Sequence, residues 1–486
     1  MPSWGDVVHR SSPNRGYSVS DTATATGLAK GQLSTIDCIA QSLAVGPVFS
    51  GALLGSILAG WSAGAGSFVV VLTAVCILAL GRVVSEFAKR YSGSGTVYEF
   101  IARSLGKRAA VFAAGSYHAA VIALGGGGIA VIGGLLLRDF LNAHVGTNLN
   151  WWVCSIIVLA FLFVINSVGV KMSMKAQLGL IILSIVPFLI LFVRVVFGSK
   201  AEGAAGNSLS SFNPSNVGEG GSLFKGILFA ILMFVGFELS AALGEETKDP
   251  KKSIPRAVVS TIVIIAVFYV ITQYTLAAGS TPDLFDFAPM AEGYLNHFFA
   301  VWIELAILLD VLAVGIGFQL AAARGVYSLA RDTVLPKSLA ATNKRQQPIG
   351  GVITVTVISV LLMLLVIVKH GTGLVPEAPV DIFAFQNAFY GFLAFSTIGG
   401  MLICMVYLLV CLGALKLFAM KNPIDVGAAV IAIAVCALGV AAQFITGLEP
   451  APEAQWSRIA AIVIAVVVAV YAATAKKDVI ESVAQH

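Results

Sequence analysis

The stretch Lys225–Arg256, KGILFAILMFVGFELSAALGEETKDPKKSIPR, decides the fold. It reads as an apolar span, about 222–246, interrupted in its middle by Gly236-Phe237-Glu238 and closed by a charged exit with two prolines. Roughly 20 residues at about 1.5 Å rise per residue cross the hydrocarbon core of a bilayer, so the interruption falls at membrane depth. Gly236 has no side chain to stiffen a helix. Glu238 puts an ionisable group where insertion costs at least about 2.5 to 3.5 kcal/mol, which a chain tolerates with a partner or beside water.

The rest of the chain has the same character. It is 58% hydrophobic and only 11% charged, with a mean hydropathy of +0.92, whereas charged residues approach about a quarter of a soluble protein. An all-α integral membrane protein follows, and long apolar runs without strand-like alternation exclude a barrel. Twelve segments are apolar, about 35–60, 64–90, 107–137, 151–168, 176–198, 222–246, 256–279, 295–325, 349–369, 382–417, 425–447 and 456–475. With odd spans running outward, 24 of the 30 Lys and Arg fall on one side, leaving Arg138, Arg194, Lys200, Lys225, Lys369 and Arg458 on the other. Positive residues favour cytoplasmic loops, which places both termini in the cytoplasm of a multi-pass plasma-membrane protein. The net charge of +5 thus belongs to topology and calls for no nucleic-acid partner. The six cysteines sit in predicted spans without metal-ligand spacing, so no metal site is expected.

Residues 1–30 read as a disordered cytoplasmic tail, 31–476 as one transporter domain, and 477–486 as a short cytoplasmic tail. Span one carries Gly46-Pro47 near its centre, where proline removes a backbone donor and obstructs the preceding turn. Freed backbone at that depth must face protein, a water-filled cavity or a ligand. Breaks in spans one and six, five helices apart, point to two inverted five-helix repeats, about 35–198 and 222–417, whose broken helices meet at a substrate site. Helices eleven and twelve, about 425–475, are then additional.

Other positions have two readings. His118, in span three, hydrogen-bonds a ligand or titrates near neutral pH, or else is a satisfied core histidine. Asp310, the acid nearest the middle of span eight, serves an ion, a proton or a substrate amine, or bonds backbone freed in span one or His118. Glu304 lies about 600° around the helix from it and does not share its face. The run Gly125–Gly128 reads as a close-packing surface, Glu86 as a partner of Lys89 or Arg90, and Glu245-Glu246 as an ion-paired hinge. NSVGVKMSMKAQ reads as a short basic inner loop, Gly93, Ser94 and Gly95 as a turn, and RGVYSLARDTVLPKSLA as an amphipathic inner-surface segment. Phe385, Phe389 and Tyr390 are core aromatics that could also line a path.

Three segments in order carry a resemblance. GFELSAALGEETKDPKKSIPRA, SEFAKRYSGSGTVYEF and RGVYSLARDTVLPK are similar to patterns after spans six, two and eight of the amino acid–polyamine–organocation permeases, over about 30–475. The resemblance implies a leucine-transporter-like fold, twelve helices with helices one and six broken, and alternating access. It implies that a substrate amino group meets carbonyls near Ala44 and Val45 and near Phe234 and Val235, around Gly46 and Gly236. A carboxylate would lie at the helix start after the first break. There Pro47 stands where members often have Ser or Thr and cannot donate, which leaves Val48, Phe49 or the Ser50 hydroxyl and resembles polyamine-importing branches. Leu232 matches a gating aromatic position, Glu238 an acid tied to conformational change, and Ser184 the place of a lysine used by some proton-coupled members.

These readings make the chain a secondary transporter of amino acids or closely related small amines and not an enzyme. No cofactor is expected beyond a coupling proton, or sodium, as co-substrate, with Glu238, Asp310 and Pro47 as coupling or gating candidates. A polyamine or organic amine permease, an exchanger and a non-transporting nutrient sensor are the alternatives. The partners are the small-molecule substrate and the lipid bilayer.

Overall fold

A computed structural model describes residues 28, 30–62, 65–91, 97–199, 204–217, 222–280, 286–371, 386–417, 422–445 and 455–483. Most of the expected 1–30 tail, the Gly93-Ser94-Gly95 turn and Phe385 lie outside the described residues. Among the described residues, eleven helices are long and apolar enough to cross a membrane. They are Thr35–Gly60, Gly66–Ala88, Lys107–His144, Trp151–Val168, Val170–Phe197, Pro250–Gly279, His297–Arg331, Ile349–His370, Ala388–Leu417, Pro423–Phe444 and Gln455–Thr474. The expected sixth span is instead two shorter pieces, Ser222–Phe234 and the 3-10 turn Leu239–Leu243.

Burial sorts these helices into layers. The apolar window of span one is 83% buried and that of span three 78%, against 17% for span twelve, so spans one and three form the centre. Spans five, nine and twelve present Ile182, Val357, Leu361 and Val467 outward, the side chains that lipid solvates. Because lipid gives little hydrophobic drive between helices, small residues decide which helices approach closely. A Cβ on Gly125 would sit 2.2 Å from Phe318 and one on Gly127 2.7 Å from Phe395. The glycine run therefore packs spans eight and ten against span three, as expected.

Two expectations are corrected. NSVGVKMSMKAQ is not a loop, because span four ends at Val168 and span five begins at Val170. Gly169 alone turns the chain at φ +146°, a conformation that suits a residue without Cβ. The exit of span eight, 324–340, is a surface segment only in its second half, where Pro336, Lys337 and Ser338 are exposed. The helix continues to Arg331, and 324–330 are all buried, because Arg324 and Ser328 have protein around them in place of headgroups and water. The segment read as the C-terminal tail contains the helix Lys477–Ser482, whose Ser482 hydroxyl donates to the Asp332 carbonyl.

The ion-paired hinge is present, and its partners come from span eight. Arg324 donates to Glu246 through Nε at 2.5 Å and Nη2 at 2.9 Å, and Arg331 donates to Glu245 at 2.7 Å. Glu86 pairs with Lys89 and Arg90. Just before span one the chain pairs with the same hinge: Gln32 and Leu33 donate to the Glu246 carbonyl at 2.7 and 2.9 Å, and Lys248 donates to Leu33 at 2.9 Å.

Candidate functional site

Span one starts on a capping box in which Ser34 and Asp37 satisfy each other's amides. It runs as helix to Ser42, tightens to a 3-10 turn over Leu43–Val45, and stops at Gly46, which is left-handed at φ +72°. Pro47 then opens the next helix, where its missing N–H leaves nothing unpaired. Span six repeats the device: helix to Phe234, Gly236 at φ +114°, and a 3-10 turn from Leu239.

Span eight brings the two breaks together. A Cβ on Gly46 would lie 2.5 Å from Val314, and one on Gly236 would lie 3.2 Å from Phe318. Val314 and Phe318 stand one helical turn apart on one face. Ser240 N–H also donates to the Ser42 hydroxyl at 3.4 Å, from one broken span to the other. Between the breaks is a cavity of about 40 Å³, lined among others by Val45, Phe49, Leu232, Val235, Phe318 and Phe392. Ser50 and Ser396 are the polar side chains on its described wall.

Of the expected site residues, Val45, Phe49, Ser50, Leu232 and Val235 line this cavity. Gly46 and Gly236 make the breaks, and Ala44, Pro47, Val48 and Phe234 are buried beside them. Two expected contacts already have partners within the chain. The Ser50 hydroxyl donates to the Val45 carbonyl at 2.8 Å. The Phe49 amide donates to Asp310 Oδ2 at 2.7 Å. Asp310 is fully buried, and its other oxygen is 3.4 Å from the Ser184 hydroxyl. Of the readings open to it, a bond to backbone freed in span one is thus present and one to His118 is not.

Glu238 is also fully buried and sits behind the cavity wall. Tyr117 donates to its Oε1 at 3.0 Å. The Tyr407 hydroxyl lies near the same carboxylate without a hydrogen bond to it. His118 does not reach the cavity. It lies edge-on between the rings of Tyr98 and Tyr117, over Gly325, with neither ring nitrogen hydrogen-bonded among the described residues. Glu304 lies apart from Asp310 and pairs with His144 at 2.6 Å.

A larger cavity of about 240 Å³ adjoins the resumed half of span one at Leu53 and Ser56 and carries the carboxylates of Asp139, Asp286 and Glu304. Burial, more than any other influence, raises the pKa of Asp286, which lies between spans seven and eight. Leu124, Phe318, Phe392 and Ser396 are lining residues that reading the sequence missed. A serine within an apolar run was the only available signal, and only for Ser396.

The family model described as amino acid permease matches residues 33–470. The chain belongs to the amino acid permease family. A D-serine/D-alanine/glycine transporter of Escherichia coli strain K12 is 29% identical over 220 residues, 42% of this permease chain and 46% of its own length. A lysine-specific permease of Lactococcus lactis is 28% identical over 234 residues, 44% of this chain and 46% of its own. A low-affinity putrescine importer of E. coli strain K12 is 25% identical over 281 residues, 56% and 60%. The chain spans about half the length of the curated relatives it matches. A manganese transporter from Eremococcus coleocola, crystallised with an aromatic bis-isothiourea compound, superposes with a TM-score of 0.54. The match covers 96% of this chain and 99% of that one at 12% identity, so the fold is shared. The fold is leucine-transporter-like, and the protein is a multi-pass membrane protein.

The break geometry yields a direct test. Gly46→Ala puts a methyl into Val314 on a left-handed backbone, a conformation that costs an L residue about 1 to 2 kcal/mol. It should lower the apparent melting temperature, and with it ligand-induced stabilisation. Gly60→Ala, where the methyl meets open space in the same span, should change neither. Equal behaviour of the two in a thermal-unfolding assay would separate the left-handed break from the site.

Proposed function

We propose that this permease is a secondary transporter of the plasma membrane that carries small amino acids or closely related small amines by alternating access. The observation that supports it best is the convergence of two glycine breaks on one cavity. Helix interruptions at membrane depth are tolerated where they face protein or a cavity, and their carbonyls then suit an ammonium group. The named relatives, which include transporters of D-serine, D-alanine and glycine, of lysine and of putrescine, agree with an amine-bearing substrate. So do the carboxylates of the adjoining cavity, which attract cations. The cavity wall between the breaks carries no described acidic side chain, which speaks against a long polyamine held by carboxylates at both ends.

Coupling to a proton is the reading we favour, with Glu238 and Asp310 as its carriers, the two buried carboxylic acids beside the breaks. Lys and Arg distribution supports both termini in the cytoplasm.

One observation favours a second reading, a small amine without a carboxylate. The Phe49 amide, expected to meet a substrate carboxylate, instead holds Asp310. A thermal-shift screen of the detergent-purified protein decides between them, because a ligand of the folded state raises its apparent stability. Stabilisation by alanine or serine and not by their decarboxylated counterparts supports amino acids. Stabilisation by the amines alone supports the second reading, and stabilisation by neither class removes both.

A further inference from the structure

Beyond the central cavity lies a second one of about 40 Å³, set between spans six, ten and eleven. Its wall includes Leu232, Ser396, Thr397, Cys404, Gly439 and Gln443. The two cavities share Leu232, Val235 and Ser396, so they are neighbours across the Leu232 side chain. Gly439 keeps the chamber open, since a Cβ there would lie 3.1 Å from the Cys404 sulfur.

The polar groups of this chamber are unusual. Ser396, Thr397 and Gln443 are only 4%, 7% and 9% exposed, and among the described residues their side chains make no hydrogen bond. Serine and threonine in a helix commonly return the hydroxyl to a carbonyl one turn back, as Ser359, Thr354 and Thr356 do in span nine. The Gln443 backbone, by contrast, is fixed: its carbonyl accepts from Arg458 Nη1 at 2.6 Å. Hydroxyl and carboxamide groups that make no internal hydrogen bond and line one space offer their donors and acceptors to whatever occupies it.

We infer that this chamber is a side-chain subsite for a neutral hydrogen-bonding group, a hydroxyl or a carboxamide, and that Leu232 controls entry into it from the central cavity. Two hydroxyls and a carboxamide offer donors and acceptors, and no described Lys, Arg, Asp or Glu lines the chamber to balance a charge. A water needs about 10 to 15 Å³ of such space, so the chamber takes a group of roughly three heavy atoms. The substrate's amino group lies at the break carbonyls, and its side chain passes Leu232. The inference rests on the transport reading above and extends it to the side chain.

The test uses near-isosteric pairs that differ in hydrogen bonding: threonine and valine, asparagine and leucine, ethanolamine and propylamine. Apparent affinities come from ligand-dependent thermal shifts of the full-length protein, and transport from counterflow in proteoliposomes. The polar member of at least one pair is expected to bind about tenfold more tightly, because its apolar partner leaves buried groups unpaired. Thr397→Val, which keeps the shape, and Gln443→Leu should each cut that ratio to about twofold while sparing the apolar member. Equal binding within every pair, or a ratio that survives both substitutions, overturns the subsite. If counterflow proceeds with equal affinities, the subsite alone fails. If no member of any pair binds or exchanges, the transport reading fails with it. The wild-type comparison needs no variant, so poor folding of either substitution leaves the test intact.

Discussion

Arg324→Met should destabilise the protein by about 3 to 5 kcal/mol, the usual cost of leaving one partner of a buried ion pair charged and alone. The side chains of Arg324 and Glu246 are 2% and 1% exposed. The guanidinium meets both carboxylate oxygens and Gln347 Oε1 at 3.3 Å. Adding Glu246→Leu should recover most of the loss, since an apolar pair of similar volume removes the stranded charge. Apparent melting temperatures of the two single variants and the double variant measure this. A double variant no better than the singles would mean that packing, and not charge, dominates. The pair also sits where the chain ahead of span one is tied to the hinge, because Glu246 accepts the amides of Gln32 and Leu33 through its backbone. Its loss should loosen that junction. Cys38 reports on it: the thiol is buried and lies 3.3 Å from the hydroxyl of Thr247, the residue after Glu246. Arg324→Met should speed its reaction with a thiol reagent, and Cys38→Ser in the same background should abolish the gain. Unchanged labelling would separate the ion pair from any gating role.

What the sequence makes legible follows from chemistry that is local. Gly46-Pro47 and Gly236-Phe237-Glu238 advertise their breaks, because glycine and proline act on the backbone where they stand. Lipid demands apolar runs, so spans are also readable, although helices continue past the apolar run by six or seven residues at Val170, Pro250, His144 and Arg331. Partners across the fold are another matter. Glu246 and Arg324 are 78 residues apart, and nothing near Arg324 distinguishes a buried guanidinium from one at the membrane surface. The surface reading of 324–340 failed over 324–330 for that reason. Asp310 was singled out by its cost in lipid, yet its bond to the Phe49 amide depends on span eight crossing the first break. Ser396, Thr397 and Gln443 carry no charge, and one uncharged polar residue in an apolar span costs too little to stand out.

Asp310→Ala and Asp310→Asn should separate shape from charge at the first break. Alanine leaves the Phe49 amide buried without an acceptor, and hydrogen bonds to charged groups contribute about 1.5 to 3 kcal/mol. Uptake into proteoliposomes should fall by about 10- to 100-fold, with a lower melting temperature. Asparagine keeps an acceptor for Phe49 through Oδ1. Its amide group would then face Ser184, whose hydroxyl already donates to the Ile181 carbonyl at 2.9 Å and has lone pairs to accept with. The break and its cavity should therefore survive in Asp310→Asn, and substrate-for-substrate counterflow with them. Concentrative uptake driven by a proton gradient should be lost, because a carboxamide neither carries a proton nor balances a cation. Loss of counterflow as well would make the negative charge part of substrate binding, in keeping with an amine substrate. Near-normal concentrative uptake would confine Asp310 to holding the helix start after Gly46, and Glu238, fully buried beside the second break with one oxygen held by Tyr117, would become the remaining acid through which coupling could run.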